Sequence, residues 1–226
     1  GFLGPEALGR GRPFDVEVRR GAGAFVCGEE TALIASLEGR RGLPTLRPPY
    51  PVVQGLRGHP TVINNVETLA TVPFILDRGA PAFRALGTPS SPGTKTFCLA
   101  GDVRRGGMVE VEMGVSVRAL VEDLGGGSAS GRPVRAVQIG GPPGGCLPAE
   151  RFDVPIDFDA LAETGTMMGS GGIVVLDTSR CMVDVARYFV RFMADESCGQ
   201  CTPCREGTVR LAEILDRATS GTAVVA

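Results

Sequence analysis

The sequence of 226 residues predicts an α/β fold followed by a purely helical segment. Near the start, an alternating apolar and polar stretch leads through a glycine-rich loop into a helical pattern. In the middle, two strand patterns, a helix and a third strand follow one another, and near the end two amphipathic helices flank a run of cysteines. The length allows one large domain or two to three small ones.

The composition narrows the class of protein. A net charge of −2 gives no reason to expect a nucleic-acid partner or direct membrane insertion, and the longest apolar runs are too short to cross a bilayer. No secretion signal is visible at the start. The seven cysteines lack the spacing of a disulfide framework, which favours a reducing, cytoplasmic location, with peripheral attachment to a membrane complex as the variant. His59 is the only histidine, which excludes a zinc site with several histidines.

The first predicted unit is a strand at residues 14–19, a glycine-rich loop at 21–30 and a helix at 31–38 that Gly39 closes. This order exposes backbone N–H groups at a helix N-terminus, a favourable place for a phosphate or an electron-rich ring.

The glycine-rich loop does not match the dinucleotide fingerprint Gly-x-Gly-x-x-Gly. Gly21 and Gly23 fit its first two positions, but the third position is Val26. Glu29 and Glu30 would favour the positive end of the helix dipole, so a plain tight turn with an acidic helix start is the alternative to cofactor binding.

Two further stretches could contribute to the same site. Residues 42–51 are too rich in proline for a helix or central strand, and Tyr50 could present its ring to a flat ligand or serve as a packing residue. Asn64 and Asn65 precede a predicted helix at 69–76. One of them suffices as N-cap, which leaves the other for a ligand phosphate.

The middle of the chain predicts a hairpin, a helix and a strand. That is the order of a small β-grasp domain. The predicted elements are strands 94–103 and 108–113 around a turn at 104–107, a helix at 116–124 with Ser116 as N-cap, and strand 134–139. A short helix at 157–163 and a strand at 173–177 come next.

Cys198, Cys201 and Cys204 follow one another at three-residue steps between helices predicted at 182–193 and 205–215. A Cys-x-x-Cys-x-x-Cys run is typical of an iron–sulfur cluster. Zinc, which usually takes cysteine pairs far apart, and a simple redox thiol group are the alternatives. Either metal site needs a fourth ligand, and no cysteine follows Cys204.

Four stretches together resemble one known family. Residues 21–42, 47–51, 61–70 and 196–207 are similar to the flavin-bearing NADH dehydrogenase subunit, the 51-kDa-type subunit of complex I. Its relatives include NAD-linked formate dehydrogenases and NAD(P)-coupled iron hydrogenases. Residues 167–177 and 181–189 resemble the hydrogenase and formate dehydrogenase branch more than complex I.

The resemblance implies three domains. Residues 1–85 would be the C-terminal part of a Rossmann-like domain for FMN and NADH, residues 86–178 a β-grasp (ubiquitin-like) domain with a connecting segment, and residues 179–226 the start of an incomplete helical bundle that carries a [4Fe–4S] cluster.

The resemblance also implies the site. The loop and the helix start at Asn64 and Asn65 would line FMN, Glu30 would meet the nicotinamide and ribose of NAD(P)H, and Tyr50 would lie beside the adenine. The implied cofactor-binding residues are Gly21, Gly23, Phe25, Gly28, Glu29, Glu30, Tyr50, Asn64, Asn65 and Thr68, and the implied metal ligands are Cys198, Cys201 and Cys204. The implied partners are a thioredoxin-like [2Fe–2S] subunit and a larger iron–sulfur or catalytic subunit.

Two parts of the family pattern are not in the sequence. The first glycine-rich flavin loop would precede Gly1, and the fourth cluster cysteine would lie some tens of residues beyond Cys204. We therefore expect a fragment that alone completes neither site and is inactive.

The expected function is hydride transfer between NAD(P)H and FMN, coupled to single-electron steps at the cluster, with no general acid or base. The alternatives are an electron-carrying or structural iron–sulfur module without flavin activity, and a zinc-stabilised scaffold.

Overall fold

The computed structural model describes residues 2–9 and 11–222, which divide into two compact units, one ending at Ile63 and the other beginning at Asn64. The helices are α1 Glu30–Leu37, α2 Val66–Arg78, α3 Ala80–Arg84, α4 Phe158–Glu163, α5 Met182–Asp195 and α6 Thr202–Thr219. The strands are β1 Thr94–Gly101, β2 Gly107–Glu112, β3 Val134–Ile139, β4 Gly145–Pro148 and β5 Gly172–Asp177.

The first unit contains the predicted helix, as α1, but not the predicted strand. Residues 14–19 are irregular apart from one bridge between Gly4 and Phe14. Phe14, Val16 and Val18 are 60%, 63% and 87% exposed, so their alternation does not mark a buried face. The strand prediction was wrong because a strand needs a neighbour for its backbone hydrogen bonds, and the sequence pattern does not show whether one is present.

The second unit is built on a five-stranded sheet in the order β2-β1-β5-β3-β4. The predicted hairpin is confirmed, with Thr94 opposite Glu112 and Leu99 opposite Gly107. The central β5 runs parallel to β1 and antiparallel to β3, so the sheet is mixed and mostly antiparallel. The predicted strands at 134–139 and 173–177 are confirmed, whereas β4 was not predicted.

One face of this sheet carries the hydrophobic core. Phe97, Val137 and Ile173 from the strands are fully buried and belong to the same apolar cluster as Leu120 and Phe152. Leu120 lies on a π-helical segment, Ala119–Leu124, within the predicted helix at 116–124. The predicted N-cap is confirmed, since Ser116 Oγ accepts a hydrogen bond from Ala119 N at 3.1 Å.

A buried carboxylate fixes the predicted helix at 157–163 to the preceding loop. Asp157 is 5% exposed and caps α4, accepting hydrogen bonds from Asp159 N at 3.0 Å and Ala160 N at 3.2 Å. The hydroxyls of Thr88 and Ser90 also donate to it, Ser90 at 2.7 Å. These donors hold the pKa of Asp157 well below its usual range, the Thr88 hydroxyl contributing most.

The last two helices, α5 and α6, pack against each other. Arg191 of α5 pairs with Asp216 of α6 at 2.7 Å. The two predicted helices are therefore confirmed, and residues 196–201, which join them, include two of the three cysteines. Domain boundaries at 85/86 and 178/179 stay predictions. Within residues 2–9 and 11–222, no helix combines the length and apolar character needed to cross a membrane.

Candidate functional site

The glycine-rich loop ends in a single helical turn, Phe25–Gly28, directly before α1. A methyl group built on Gly21, Gly23 or Gly28 would meet no atom within 4 Å, so the backbone at these glycines borders open space. Gly23 has φ +80°, a conformation that side chains disfavour. An open glycine-lined backbone beside a helix N-terminus fits the close approach of a flat ring or phosphate.

Glu29 is the N-cap of α1. Its Oε2 accepts hydrogen bonds from Thr31 N at 2.9 Å and from Ala32 N at 3.0 Å, and the Thr31 hydroxyl donates to the same oxygen. Burial raises the pKa of Glu29, but these hydrogen bonds outweigh it and hold the pKa below its usual value. The Glu29 carboxylate is thus an ionised group that orders the helix start.

Arg47 joins the loop to the proline-rich segment. Its guanidinium pairs with Glu30 and also approaches Glu29 Oε1 at 3.5 Å, while its Cζ lies 5.9 Å from the centroid of the Tyr50 ring. Four side chains of three chemical types, two carboxylates, a cation and an aromatic ring, therefore lie near one another at the start of α1. Sequence reasoning missed Arg47, because nothing in the sequence shows that it folds back onto Glu30, seventeen residues earlier.

The other predicted cofactor residues lie in the second unit. Asn65 caps α2, its Oδ1 accepting from Glu67 N at 2.8 Å, which confirms the predicted N-cap. Asn64 and Thr68 are exposed on either side of it. Glu67 in turn receives hydrogen bonds from Lys95 Nζ at 2.6 Å and Thr96 N at 2.9 Å, so this helix start is fixed to β1.

The three clustered cysteines lie around the start of α6. Cys198 is in the loop, Cys201 is the residue before the helix and Cys204 is in its first turn. Ser197 Oγ lies 3.4 Å from Cys204 Sγ and accepts a hydrogen bond from Gly199 N at 3.2 Å. Arg205 Nη1 donates to the carbonyl of Gly199 at 2.6 Å, which ties the loop to α6.

The donor chemistry of this loop fits an iron–sulfur cluster in part. Cys198, Cys201 and Cys204 are free thiols, two half-buried and one exposed, and thiolates are the usual cluster ligands. Within the described residues, no three Cys, His, Asp or Glu side chains converge on one point that could hold a metal ion. The run therefore supplies three donors of the correct type without a finished coordination geometry.

Two family models match the two regions. A model of the Nuo51 FMN-binding domain matches residues 5–74, and a model of the NADH-ubiquinone oxidoreductase-F iron–sulfur binding region matches residues 184–225. The first range contains the glycine-rich loop, Arg47, Tyr50 and Asn64–Asn65, and the second contains all three clustered cysteines.

Curated proteins are similar to the chain over nearly its whole length. The NADP-reducing hydrogenase subunit HndC of Solidesulfovibrio fructosivorans is 52% identical over 98% of the chain and 45% of its own length. An NADH-quinone oxidoreductase subunit of Rhizobium meliloti is 51% identical over 98% of the chain and 52% of its own length. The chain thus spans about half the length of these curated relatives.

A solved structure shares the fold. A chain of an NAD⁺-reducing [NiFe]-hydrogenase in its H₂-reduced state superposes with a TM-score of 0.84 and 45% identity, over 92% of this chain and 35% of that one.

Proposed function

The chain belongs to the family of flavin-bearing, 51-kDa-type NADH dehydrogenase subunits, and from this premise we propose its function. Within the longer protein, it binds FMN, NAD(P)H and a [4Fe–4S] cluster, and carries electrons between the nucleotide and the cluster in either direction. The assembly is a multi-subunit NADH dehydrogenase, hydrogenase or formate dehydrogenase. The observation that carries this proposal is the meeting of Glu29, Glu30, Arg47 and Tyr50 beside an open glycine-lined loop.

Bound FMN supplies the conversion between hydride transfer and one-electron transfer, which protein side chains cannot perform. The chain's own residues bind and orient. Gly21, Gly23, Phe25 and Gly28 would line the ring and phosphate. Asn64, Asn65 and Thr68 contribute from the start of α2. No general acid or base is required, which agrees with a site that contains no histidine among its proposed residues.

The nucleotide would be held by the charged group at α1. Glu30 would accept hydrogen bonds from the ribose and carboxamide, and Tyr50 would lie beside the adenine. Because Arg47 pairs with Glu30, a nucleotide that binds Glu30 competes with this ion pair, and the released guanidinium is available for a phosphate. Glu29 stays with the backbone N–H groups that it caps.

Cys198, Cys201 and Cys204 would provide three cluster ligands, and the fourth would come from the longer protein. All three lie around the start of α6, at the positive end of its helix dipole. Hydrogen bonds near the sulfurs, from Ser197 above all, would tune the cluster.

The domain organisation follows from the same proposal. Residues 1–85 form part of a Rossmann-like flavin domain, 86–178 a β-grasp domain and 179–226 the start of the cluster bundle. The β-grasp assignment is supported by the mixed sheet with β1 and β5 parallel at its centre and a helical segment between β2 and β3. We place the protein in the cytoplasm, with a thioredoxin-like [2Fe–2S] subunit and a larger iron–sulfur or catalytic subunit as partners.

The test uses the full-length protein, purified with its cofactors. We expect FMN to co-purify and NADH to reduce ferricyanide. Glu30→Gln should lower kcat/KM for NADH at least about tenfold because a charged acceptor for the nucleotide is lost. FMN content should stay unchanged. The matched control is Glu150→Gln, a glutamate outside every proposed site, which should behave like the wild type.

A second candidate is an electron-carrying iron–sulfur module without flavin activity, favoured by the separate match of residues 184–225 to an iron–sulfur region. A protein that holds the cluster but neither binds FMN nor oxidises NADH would support this candidate and contradict the first.

A further inference from the structure

We propose that Thr31 is a positioning residue that holds residues 42–50, the nucleotide arm, against the start of α1. The proposal rests on the proposed function, because the nucleotide arm carries Arg47 and Tyr50 and α1 begins with Glu30. It assigns a role to a side chain that need not touch either cofactor.

The Thr31 hydroxyl is shared between the loop and the nucleotide arm. It donates its one proton to Glu29 Oε2 and accepts the backbone N–H of Thr45 at 2.9 Å. Thr31 itself is only 8% exposed, and both of its hydroxyl hydrogen bonds are partly buried. A hydroxyl has one donor and two acceptor sites, and here its donor and one acceptor link the N-cap of α1 to a segment fourteen residues away.

A second contact fixes the beginning of the nucleotide arm. A methyl group added to Gly42 would lie 2.5 Å from Cys27 Sγ and 3.5 Å from the carbonyl of Ala32. Gly42 therefore packs directly against the turn that precedes α1. A side chain there would force either the arm or the Cys27 thiol to shift.

The two contacts set the position of Arg47. Thr45 is two residues before Arg47, so the hydrogen bond to Thr31 limits how far the guanidinium can move from Glu29 and Glu30. Tyr50 follows through Pro48 and Pro49, whose fixed φ angles leave little freedom. Loss of the Thr31 hydroxyl removes the link between the N-cap and the arm, which should weaken nucleotide binding more than it slows turnover.

The experiment uses the full-length holoprotein with Thr31→Val, which keeps the shape and removes the hydroxyl, and Thr31→Ser, which keeps the hydroxyl. Hydrogen exchange of the peptide covering residues 43–47 is the direct readout, and KM and kcat for NADH are the second. In Thr31→Val we expect exchange at Thr45 and KM to rise about tenfold each, because the partly buried hydrogen bond from Thr45 N is lost. We expect kcat to change less than about twofold.

Two controls define the specific effect. Thr31→Ser should return both exchange and KM to within about threefold of the wild type, as a retained hydroxyl requires. Thr164→Val removes a hydroxyl that donates to the Leu161 carbonyl at 2.6 Å in the second unit, and should change neither quantity.

The proposal is overturned if the Thr45 amide of Thr31→Val exchanges at the wild-type rate. It is also overturned if Thr31→Val and Thr31→Ser change exchange and KM equally. If Thr31→Val does not fold, exchange in the wild type tests the proposal instead. The Thr45 amide must then exchange at least about tenfold more slowly than the amide of exposed Leu46, and equal rates would overturn the proposal. A wild-type protein that binds no FMN and oxidises no NADH would refute the proposed function, while the exchange data would still test the Thr31 linkage.

Discussion

The sheet of the second unit and the loop–helix region of the first are held by different forces. The sheet buries a continuous apolar cluster that includes Phe97, Leu147 and Phe152. In the first unit, the buried apolar side chains among the described residues are small or few: Ala7, Ala32, Ile34, Ala35 and Pro51. Its shape near α1 depends instead on hydrogen bonds and ion pairs around Glu29.

This difference has a consequence for mutations. Apolar packing contributes to stability in proportion to the buried area, and it is insensitive to which ligand binds. Polar contacts add little net stability, but they set the positions of charged groups. We therefore expect substitutions in the sheet to change the free energy of unfolding and substitutions in the loop to change cofactor binding.

The largest effect should come from the core. Phe97→Ala removes a fully buried ring, and we expect unfolding free energy to fall by about 3–5 kcal/mol, from lost burial and the cavity left behind. Urea unfolding of the chain followed by far-UV circular dichroism measures this. Met108→Ala on the neighbouring strand, where Met108 is 78% exposed, should stay within about 0.5 kcal/mol. Similar losses for both variants would refute the assignment of the packed face.

Asp157 shows that a polar contact can also support the sheet unit. Asp157→Ala leaves the hydroxyls of Thr88 and Ser90 and the first N–H groups of α4 without their acceptor. We expect a loss of about 1–3 kcal/mol. Asp123→Asn, at an exposed aspartate, is the control and should be nearly neutral.

The same residue predicts a pH dependence. The pKa of Asp157 is lower in the folded state than in the unfolded chain. Its contribution to the free energy of unfolding is therefore complete at pH values above the ordinary carboxyl pKa. The contribution is lost as pH falls from there toward the folded pKa. Wild-type chain should lose more stability than Asp157→Ala between about pH 5 and pH 3. Parallel pH profiles for the two proteins would contradict this origin.

In the loop, Glu29→Ala should lower the free energy of unfolding less than Asp157→Ala does, but it should weaken cofactor binding. Loss of the N-cap acceptor should lower the unfolding free energy by about 0.5–2 kcal/mol. The amount of FMN retained by the full-length protein after gel filtration should fall as well, because the helix start is no longer ordered. Glu29→Gln keeps an acceptor oxygen and should retain more FMN than Glu29→Ala. If Glu29→Ala retains all of its FMN, the N-cap is not needed for flavin binding and this prediction is wrong.

The smallest effect on stability should come from the cysteine loop. Ser197 Oγ accepts the Gly199 N–H, so its own proton is available for Cys204 Sγ at 3.4 Å. Ser197→Ala should change unfolding free energy by less than about 0.5 kcal/mol. The cluster's reduction potential should become more negative, since hydrogen bonds to sulfur favour the reduced state. Redox titration followed by electron paramagnetic resonance measures this, with Ser197→Thr, which keeps the hydroxyl, as control.

Much of the fold and half of the candidate site followed from local patterns. The helical periodicity of α1, α5 and α6, the alternation in β1 and β2, and the N-caps at Asn65 and Ser116 each depend on neighbouring residues, so the sequence predicts them. The cysteine spacing and the glycine-rich loop also marked the two regions that the family models match. Which metal or cofactor they hold came from resemblance and not from spacing alone.

The remaining features depend on residues far apart in the chain. The pattern at 14–19 looked like a strand but has no strand partner in the described residues. Strand β4 was not predicted, and it forms by pairing with β3, with Ile139 opposite Gly145. The insertion of β5 between β1 and β3, and the placement of Arg47 beside Glu30, likewise come from contacts between distant segments. Periodicity in the sequence shows which residues prefer the buried face of a helix or strand. Strand pairing depends on the segment that lies opposite, and only the folded chain brings that segment into place.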